Sequence, residues 1–385
     1  MTASAIGRAT VQGLGLGGDA RKLLERRLAR EYAADHVVLC GSGTEALQLA
    51  IGLALRRTDT SSVALPAFTC FDVAAAAVAR RATIELFDVE PATLVPDLDS
   101  LARVLERGAR VVVISPLYGL PVDWEAIDAL LTRFGATAIE DAAQGHGATW
   151  RGRPLGSLGE LSVLSFGRGK GWSGGSGGAL LLRGPDAERW LDGVRLGPRG
   201  HTGDISVLPL IVAQWALGRS ALYALPAGMP WLRLGETIYR DAVPPRSMSR
   251  AGAATVEALA CAAQHEAEAR RENARAILAA LDAHTVPRVR PGAVAGFLRL
   301  PLRLSRGIAG FPAPASALRL GIAPSYPAVL ADLPPVRAQL GTAGRWPGAA
   351  ELARTLVTAP THSLISATDR SAIIELLRNY TRSAG

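Results

Sequence analysis

The sequence predicts an α/β protein with a large, mostly parallel sheet domain and a smaller C-terminal α/β domain. Short β-branched runs alternate with helical patterns from about residue 37, and several of these runs are apolar throughout, which is typical of strands buried on both faces. A Pro-, Gly- and Trp-rich stretch at residues 205–247 then interrupts the alternation. We therefore expect a large domain over residues 1–247 and a bridging helix with a small domain over residues 248–385.

The elements follow in order along the chain. Helical patterns lie between the strands, for example at residues 44–55 and 123–135, and the second has an Asp before it and a Gly at its end. A long helix over residues 251–284 and a capped helix over residues 366–380 are predicted in the second half. The predicted strands are residues 37–40, 62–68, 83–89, 111–117, 137–143, 161–167, 178–182, 286–291 and 297–304.

Composition excludes several classes of protein. The net charge is +8, but the basic residues are scattered and no aromatic-basic stripe or zinc-finger spacing accompanies them, so nucleic acid is not an expected partner. Cys40, Cys70 and Cys261 have neither a disulfide-framework spacing nor a metal-site spacing, which favours a reducing compartment. No signal-peptide pattern opens the sequence. We expect a cytoplasmic protein without a metal site, acting on small molecules.

Residues 205–218 form the most apolar stretch, and it is too short to span a bilayer. Pro209 and Pro226 interrupt any long amphipathic face. The sequence therefore favours a helix in the core or at a subunit contact over membrane contact.

Two glycine-rich stretches resemble anion-binding loops. The first, 13-GLGLGG-18, precedes the first strand instead of following one, which argues against a dinucleotide-binding loop. The second, 41-GSGTEAL-47, follows a strand and opens a helix, so its backbone N–H groups and the hydroxyls of Ser42 and Thr44 could bind a phosphate. An ordinary N-cap explains the same residues equally well.

A pair of carboxylates in 139-IEDAAQGHGA-148 ends an apolar strand. Ligands of open α/β sheets bind at the carboxyl ends of strands, so Asp141 is a candidate to bind a protonated heterocyclic nitrogen. Glu140 should point to the opposite face of the sheet. We expect His146 to be a hydrogen-bonded residue behind the site.

Lys170 lies in a third glycine-rich stretch, 165-SFGRGKGWSGGSGG-178. The chain contains forty arginines and only two lysines, Lys22 and Lys170, so position 170 requires something that arginine does not supply. A desolvated lysine amine reacts with carbonyls, whereas a guanidinium does not. A phosphate-binding helix start, a strand-end aspartate and this lysine are together the parts needed to bind pyridoxal phosphate.

The order and spacing of these motifs resemble the DegT/DnrJ/EryC1/StrS family of sugar aminotransferases, which are pyridoxal-phosphate enzymes of fold type I. The resemblance implies that Lys170 is the Schiff-base lysine and proton shuttle and that Asp141 is the partner of the pyridine nitrogen. The stretches that carry it are 41-GSGTEAL-47, 65-LPAFTCFDVAAAAV-78, 87-FDVEPATLVPD-97, 117-LYG-119, 139-IEDAAQGHGA-148, 165-SFGRGKGWSGGSGG-178 and 359-APTHSLISATD-369.

The same resemblance assigns further cofactor contacts. Gln144 would bind the ring oxygen of the cofactor or a neighbouring group, and Ser165 would bind its phosphate together with Gly43 and Thr44. The family often has an aromatic residue stacked on the cofactor where this chain has Cys70, so either Phe71 stacks from a shifted backbone or the contact is looser. Residues 244-PPRSMS-249 lack the Asn that the family lends to a neighbouring subunit.

The resemblance implies transfer of an amino group from an amino acid, glutamate by family likeness, to a keto group of a nucleotide-linked sugar, by a homodimer. Two alternatives remain open. The acceptor could be a non-nucleotide or lipid-linked carbonyl, or the chain could be a catalytically silent, cofactor-binding regulatory protein.

Overall fold

The computed structural model describes residues 3–16, 18–197, 237–281 and 285–384, together with Pro209. The predicted apolar helix at residues 205–218 therefore lies outside the described residues apart from Pro209. The strands are β1 His36–Cys40, β2 Ser62–Pro66, β3 Thr83–Phe87, β4 Val111–Ile114, β5 Thr137–Asp141, β6 Thr149–Trp150, β7 Arg153–Pro154, β8 Leu161–Ser165, β9 Gly178–Leu182, β10 Ala293–Val294, β11 Leu300–Arg303, β12 Ala323–Pro324 and β13 Leu356–Ala359.

Helices alternate with the strands through the first half of the chain. The helices are α1 Ala3–Gly13, α2 Ala20–Glu31, α3 Gly43–Leu55, α4 Phe71–Ala79, α5 Leu98–Glu106, α6 Trp124–Phe134, α7 Ala187–Asp192, α8 Arg250–Ala258, α9 Ala260–Leu278, α10 Pro314–Arg319, α11 Pro334–Arg337, α12 Pro347–Thr355 and α13 Ala367–Ala384.

The main sheet has seven strands in the order β1-β9-β8-β5-β4-β2-β3. Only β9 runs antiparallel to its neighbours, and the other pairs of this sheet run parallel. Both faces are buried, as the apolar strand composition predicts. Val111 and Val113 of β4 pack in the cluster that contains α3 and α4, whereas Val112 and Ile114 pack in the cluster that contains α2, α5 and α6.

Two smaller sheets complete the described structure. β11, β13 and β12 form an antiparallel sheet in the C-terminal part, and β10 pairs with the short hairpin β6-β7. Side chains of the C-terminal part, such as Leu302 and Tyr380, belong to the same apolar cluster as α3 and α4. The C-terminal part thus shares a core with one face of the main sheet.

Several local predictions are confirmed. Asp123 caps α6 by accepting the N–H of Ala126, and Gly135 ends the helix in the left-handed conformation with φ of 61°. Ser366 and Asp369 exchange hydrogen bonds at the start of α13, which is the predicted capping arrangement. The loop that contains 13-GLGLGG-18 connects two helices and follows no strand in the described part of the chain.

Other predictions were wrong in detail. Residues 286–291 form no strand, and the pairing occurs two residues later at β10. The predicted long helix is interrupted at Leu259, where φ and ψ of −97° and 3° separate α8 from α9. Its predicted last residues, 282–284, lie outside the described residues. Five strands end about two residues before their predicted ends, because the chain turns out of the sheet there to form loops.

Candidate active site

These loops bring polar side chains together at the carboxyl ends of neighbouring parallel strands. Every residue that the sequence predicted for the site either ends one of the strands β5 and β8 or follows one of the strands β1, β2, β5 and β8. They meet at one edge because β2, β4, β5 and β8 are adjacent and parallel.

The first turn of α3 forms one side of the site. Ser42 is the N-cap residue: its hydroxyl accepts the N–H of Glu45 at 3.1 Å and donates to the Glu45 carboxylate at 3.3 Å. The Ser42 hydroxyl is thus occupied by the helix cap. By contrast, the half-buried hydroxyls of Thr44 and Ser165 have no hydrogen-bond partner among the described residues.

Gly43 allows the end of β8 to approach the start of α3. A Cβ atom at position 43 would lie 2.6 Å from Cβ of Ser165, and one at Gly178 would lie 2.5 Å from the Gly43 nitrogen. Glycine at both positions therefore lets Ser165 lie directly beside the positive end of a 13-residue helix. This is the geometry of an anion site.

Asp141 is the last residue of β5. Its Oδ2 accepts the Ser115 hydroxyl at 3.1 Å and its Oδ1 accepts the Ala143 N–H at 3.2 Å. Removal from water raises the pKa of Asp141 above its ordinary value, and the nearby Lys170 cation opposes this shift only in part. A positively charged hydrogen-bond donor would stabilise this carboxylate.

Glu140 points to the opposite face of β5, as strand alternation predicts. It is fully buried and accepts hydrogen bonds from the backbone N–H groups of Gly156, Leu158 and Gly159 at 2.6, 2.8 and 3.2 Å. The Ser162 hydroxyl donates to it as well, at 2.8 Å. Glu140 therefore fixes the loop before β8 and is separate from the site.

Lys170 lies in the turn after β8, where its backbone N–H donates to the Gly167 carbonyl at 3.2 Å. The residue is half-buried, and its amine has no hydrogen bond or ion pair among the described residues. Its charge lowers the pKa of both the Asp141 carboxyl and the Cys70 thiol, so the three side chains lie within electrostatic range of one another. In a chain with so few lysines, an amine that no described residue binds and whose charge acts on a half-buried carboxylate is an unusual arrangement.

Cys70 and Phe71 begin α4, but only Cys70 is partly exposed. Removal from water and the nearby Asp72 raise the pKa of the Cys70 thiol to about 12, so it stays protonated at neutral pH. The Phe71 ring is buried and packs 6.4 Å from the ring of Tyr326, centroid to centroid. Of these two candidates, Cys70 is therefore the side chain on which the Lys170 charge acts.

Gln144 links two segments that are distant in sequence. Its Oε1 accepts the backbone N–H of Tyr118 at 2.8 Å, and its Nε2 donates to the Tyr326 hydroxyl at 2.7 Å. The Tyr118 hydroxyl is hydrogen-bonded to Ser325. One hydrogen of the Gln144 amide remains free of these contacts.

His146 lies behind the site, as expected. Its Nε2 is 3.1 Å from the Ala263 carbonyl, and its ring lies 5.6 Å from that of Trp172. Burial lowers the pKa of His146 to about 4, so the ring is neutral at physiological pH. No group of metal-binding side chains occurs in the ranges that the structure describes.

Sequence reasoning missed three residues of this site: Ser115, Tyr118 and Tyr326. Ser115 lay inside a predicted strand, so its position in the loop beyond β4 was not foreseen. Tyr118 lay in a quoted motif but carried no assigned role. Tyr326 had no local signal, since it reaches the site from 182 residues beyond Gln144.

Comparison with known proteins decides the family. A model described as the DegT/DnrJ/EryC1/StrS aminotransferase family matches residues 4–194, which include all of the predicted site residues. Over these residues the chain belongs to the DegT/DnrJ/EryC1/StrS family. The predicted resemblance is thereby confirmed.

Relatives in this family share about half of their length with this chain. The 3-amino-5-hydroxybenzoate synthase of Amycolatopsis mediterranei is 32% identical over 173 residues, 45% of this chain and 44% of the relative. The dTDP-3-amino-3,4,6-trideoxy-alpha-D-glucose transaminase of Streptomyces venezuelae is 36% identical over 193 residues, 49% and 50% of the two chains. The chain thus spans about half the length of the curated relatives it matches.

The likeness in structure covers the whole chain. The aminotransferase TlmJ from Streptoalloteichus hindustanus is 25% identical with a TM-score of 0.75, covering 100% of this chain and 97% of TlmJ. The fold is accordingly that of the fold type I aminotransferases of the DegT/DnrJ/EryC1/StrS family, as the sequence predicted.

Proposed function

We propose that this chain is a pyridoxal-phosphate-dependent aminotransferase. It would move an amino group from an amino acid, glutamate in the first instance, to a keto group of a nucleotide-linked sugar in polysaccharide or secondary-metabolite biosynthesis. The observation that carries the proposal is the Lys170 amine, which has no partner among the described residues and whose charge acts on Asp141, at the edge of the sheet where Ser165 meets the start of α3. Membership of an aminotransferase family supports it.

The described residues fit the cofactor at both of its ends. The hydroxyls of Thr44 and Ser165 have no hydrogen-bond partner in the part of the chain that the structure describes, and together with the first turn of α3 they suit a phosphate group. At the other end, Asp141 is a carboxylate with a raised pKa, and a protonated pyridine nitrogen would supply the cation that stabilises it. Cys70, on which the charges of Lys170 and Asp141 both act, and Gln144 would contact the cofactor ring, while the buried Phe71 would support them from the core.

Each residue then has a defined task. When bound, pyridoxal phosphate supplies the electron sink that makes a substrate carbon acidic. Asp141 would keep the ring nitrogen protonated, and Nζ of Lys170 would accept the proton from the substrate carbon and deliver it to the carbon on the other side of the transferred nitrogen. Arginine at position 170 would fail at this task because it stays charged.

The first experiment is to record the visible absorbance of the purified protein with added pyridoxal phosphate, before and after excess glutamate. The parent should show a band that glutamate converts, and Lys170→Ala and Lys170→Arg should lack it. Lys22→Ala is the matched control, since it removes the other lysine of the chain and should keep the band. A parent without any band would contradict the proposal.

The assembly and the compartment belong to the same proposal. We expect a homodimer in the cytoplasm, divided near residue 247 into the large and the small domain. The three free cysteines support a reducing compartment. No helix in the described part of the chain has the length and apolar character needed to cross a membrane. Light scattering on the eluting protein would test the dimer.

A second acceptor class shares this chemistry, namely a carbocyclic ketone without a nucleotide. It is favoured by the absence of an Asn from residues 244–249 and by the relative named as 3-amino-5-hydroxybenzoate synthase. An assay that offers both a nucleotide-linked keto sugar and a keto cyclitol to the glutamate-treated protein separates the two classes.

A further inference from the structure

The hydrogen bonds of Gln144 determine which way round its side-chain amide lies. A backbone N–H is only a donor, so the atom facing Tyr118 N must be the amide oxygen, at 2.8 Å. The NH₂ group then faces the Tyr326 hydroxyl at 2.7 Å, and the hydroxyl oxygen accepts this bond. The orientation of the amide is thus assigned from which neighbouring groups can donate a hydrogen bond, because the oxygen and nitrogen atoms of an amide are hard to tell apart directly.

This orientation leaves the hydroxyl proton of Tyr326 without a partner. Its oxygen accepts from Gln144, and no acceptor for its proton occurs among the described residues. Burial raises the pKa of Tyr326 well above 10, so the hydroxyl keeps its proton throughout the physiological range. Tyr326 is a neutral donor with one hydrogen bond still to make.

The surroundings of Tyr326 hold its ring in one orientation. The rings of Phe68, Phe71 and Tyr118 lie 5.5, 6.4 and 6.3 Å from it, and the Tyr118 ring is stacked on it. Cys70 and Asp141 both act electrostatically on the Tyr326 hydroxyl, so it belongs to the same constellation as Lys170. The residue itself is only half-buried.

Tyr118 is held in an uncommon backbone conformation by the same contacts. Its φ of +57° is in the left-handed region, which is disfavoured for a bulky residue. Gln144 binds its N–H, Leu298 donates to its carbonyl at 2.9 Å, and Ser325 binds its hydroxyl. Three hydrogen bonds of Tyr118 thus hold the loop after β4, and two of them join it to the C-terminal part.

We propose that Tyr326 donates a hydrogen bond to an oxygen atom of the bound substrate and that Gln144 is the positioning residue that aims this donor. The inference rests on the proposed function, because it assumes a substrate beside Asp141 and Lys170. An amino acid carboxylate and a keto sugar both offer such an oxygen. Both substrates of a ping-pong enzyme occupy the site in turn, so the glutamate half-reaction alone tests the inference.

Two substitutions abolish the hydrogen bond from Tyr326 to the substrate in different ways. Tyr326→Phe removes the donating hydroxyl. Gln144→Glu keeps the shape, but a carboxylate accepts both the Tyr118 N–H and the Tyr326 O–H, so it draws the proton away from the substrate. Each should raise the KM for glutamate about tenfold with kcat little changed, since one hydrogen bond to the bound substrate is lost. The double variant should be no worse than Tyr326→Phe, because the two changes act on one bond.

Tyr380→Phe is the matched control. The Tyr380 hydroxyl also accepts a hydrogen bond, from the Arg306 N–H at 2.8 Å, but Tyr380 packs against Phe311 away from the site. It should leave the KM unchanged. If Tyr326→Phe also leaves the KM unchanged, its hydroxyl serves only the fold and the inference is wrong.

Other outcomes distinguish the parts of the inference. If Gln144→Glu shifts the visible absorbance and the KM while Tyr326→Phe changes neither, Gln144 acts on the cofactor directly and its positioning role is overturned. If the parent binds no pyridoxal phosphate, the proposed function has failed before the inference is reached. A parent whose band glutamate converts, with variants of equal KM, means that only the inference has failed.

Discussion

At the residue scale, the carboxylate of Asp141 reduces the stability of the fold because removal from water disfavours its charge. A carboxyl group whose pKa is raised on folding contributes stability that is complete below its unfolded pKa and is lost as the pH rises through its folded pKa. At neutral pH the cofactor-free protein therefore carries the cost of a buried charge. Asparagine at this position carries no charge and avoids that cost.

We accordingly predict that Asp141→Asn raises the melting temperature of the cofactor-free protein at pH 7, and that the difference disappears towards pH 4. The same variant should convert glutamate roughly 10- to 100-fold more slowly, because one charge-assisted hydrogen bond to the ring nitrogen is lost. Melting curves and stopped-flow absorbance measure the two effects. A lower melting temperature at pH 7 would show that Asp141 stabilises the fold instead.

His146 makes the opposite contribution to the pH dependence. Its pKa of about 4 lies below the ordinary histidine value of 6.5, so the unfolded chain binds the proton more tightly. Stability is complete above about pH 6.5 and should fall by on the order of 3 kcal/mol as the pH drops to about 4. His146→Gln, which still donates to the Ala263 carbonyl, should flatten this part of the stability curve in urea titrations. An unchanged slope would exclude His146 as its source.

Much of the residue scale was accessible from sequence. The scarcity of lysine singled out Lys170, whose role stays a prediction. Strand alternation assigned Asp141 and Glu140 to opposite faces, and their hydrogen bonds to Ser115 and Gly156 confirm it. The roles of Ser42 and Thr44 were less accessible, because the same hydroxyl chemistry serves a helix cap and a phosphate. The availability of the Tyr326 hydroxyl proton, for which the described residues offer no acceptor, could not be derived from sequence. It depends on a contact between residues that are 182 positions apart.

At the scale of elements, Glu140 ties β5 to the loop that precedes β8. Its carboxylate accepts three backbone N–H groups of this loop, and Arg183 donates to the Gly156 and Gly159 carbonyls on the same side. The hydrogen bonds of the Glu140 carboxylate and the Arg183 guanidinium therefore hold the shape of this loop. Because β8 carries Ser165 and leads to Lys170, the site depends on this support.

We predict that Glu140→Gln destabilises the fold by about 3 kcal/mol, since an amide NH₂ would face backbone donors in a fully buried position and Arg183 would lose its counter-charge. Urea denaturation with Asp141→Asn as the neighbouring control measures it, and the two variants should change stability in opposite directions. Equal effects would mean that the two faces of β5 are not distinct.

The strands themselves were predicted better than their ends. Continuous apolar runs identified all seven strands of the main sheet, because burial on both faces requires them. The last two predicted residues of several runs are equally apolar, for instance Ala67 and Phe68 after β2. The Ala67 N–H still donates to the Phe87 carbonyl of β3 at 2.8 Å, whereas the Phe68 ring packs 5.5 Å from the ring of Tyr326. Hydrophobicity reports burial and does not report where the hydrogen-bond ladder stops.

At the scale of the whole molecule, the C-terminal part covers the edge of the main sheet that β3 forms. In the edge strand β3, the Ile84 N–H donates to the Gln339 carbonyl at 2.8 Å. The Ile84 carbonyl accepts a hydrogen bond from the Gly341 N–H at 2.9 Å. Trp346 donates to the Leu86 carbonyl at 2.9 Å. An edge whose backbone groups are satisfied in this way no longer pairs with other chains.

Asp88 fastens this cover. It follows β3, is buried, and accepts the N–H groups of Gly348 and Ala349 at 2.9 and 2.8 Å, in the first turn of α12. A carboxylate at the start of a helix is stabilised by the free N–H groups and by the helix dipole. Here the carboxylate of Asp88 follows a strand of the main sheet, so its hydrogen bonds to α12 both cap this helix and connect the main sheet to the C-terminal part.

We predict that Asp88→Ala costs about 2 kcal/mol and, in addition, opens the edge of the sheet. Hydrogen exchange at the Ile84 amide should accelerate, and the protein should aggregate more readily at high concentration. Asp97→Ala is the matched control, because Asp97 caps α5 by accepting the N–H of Ser100 within its own segment. That variant should lose about 1 kcal/mol without faster exchange at Ile84. If both variants leave exchange at β3 unchanged, residues 339–341 cover the edge without help from Asp88, and the link between the two parts lies in the shared apolar core.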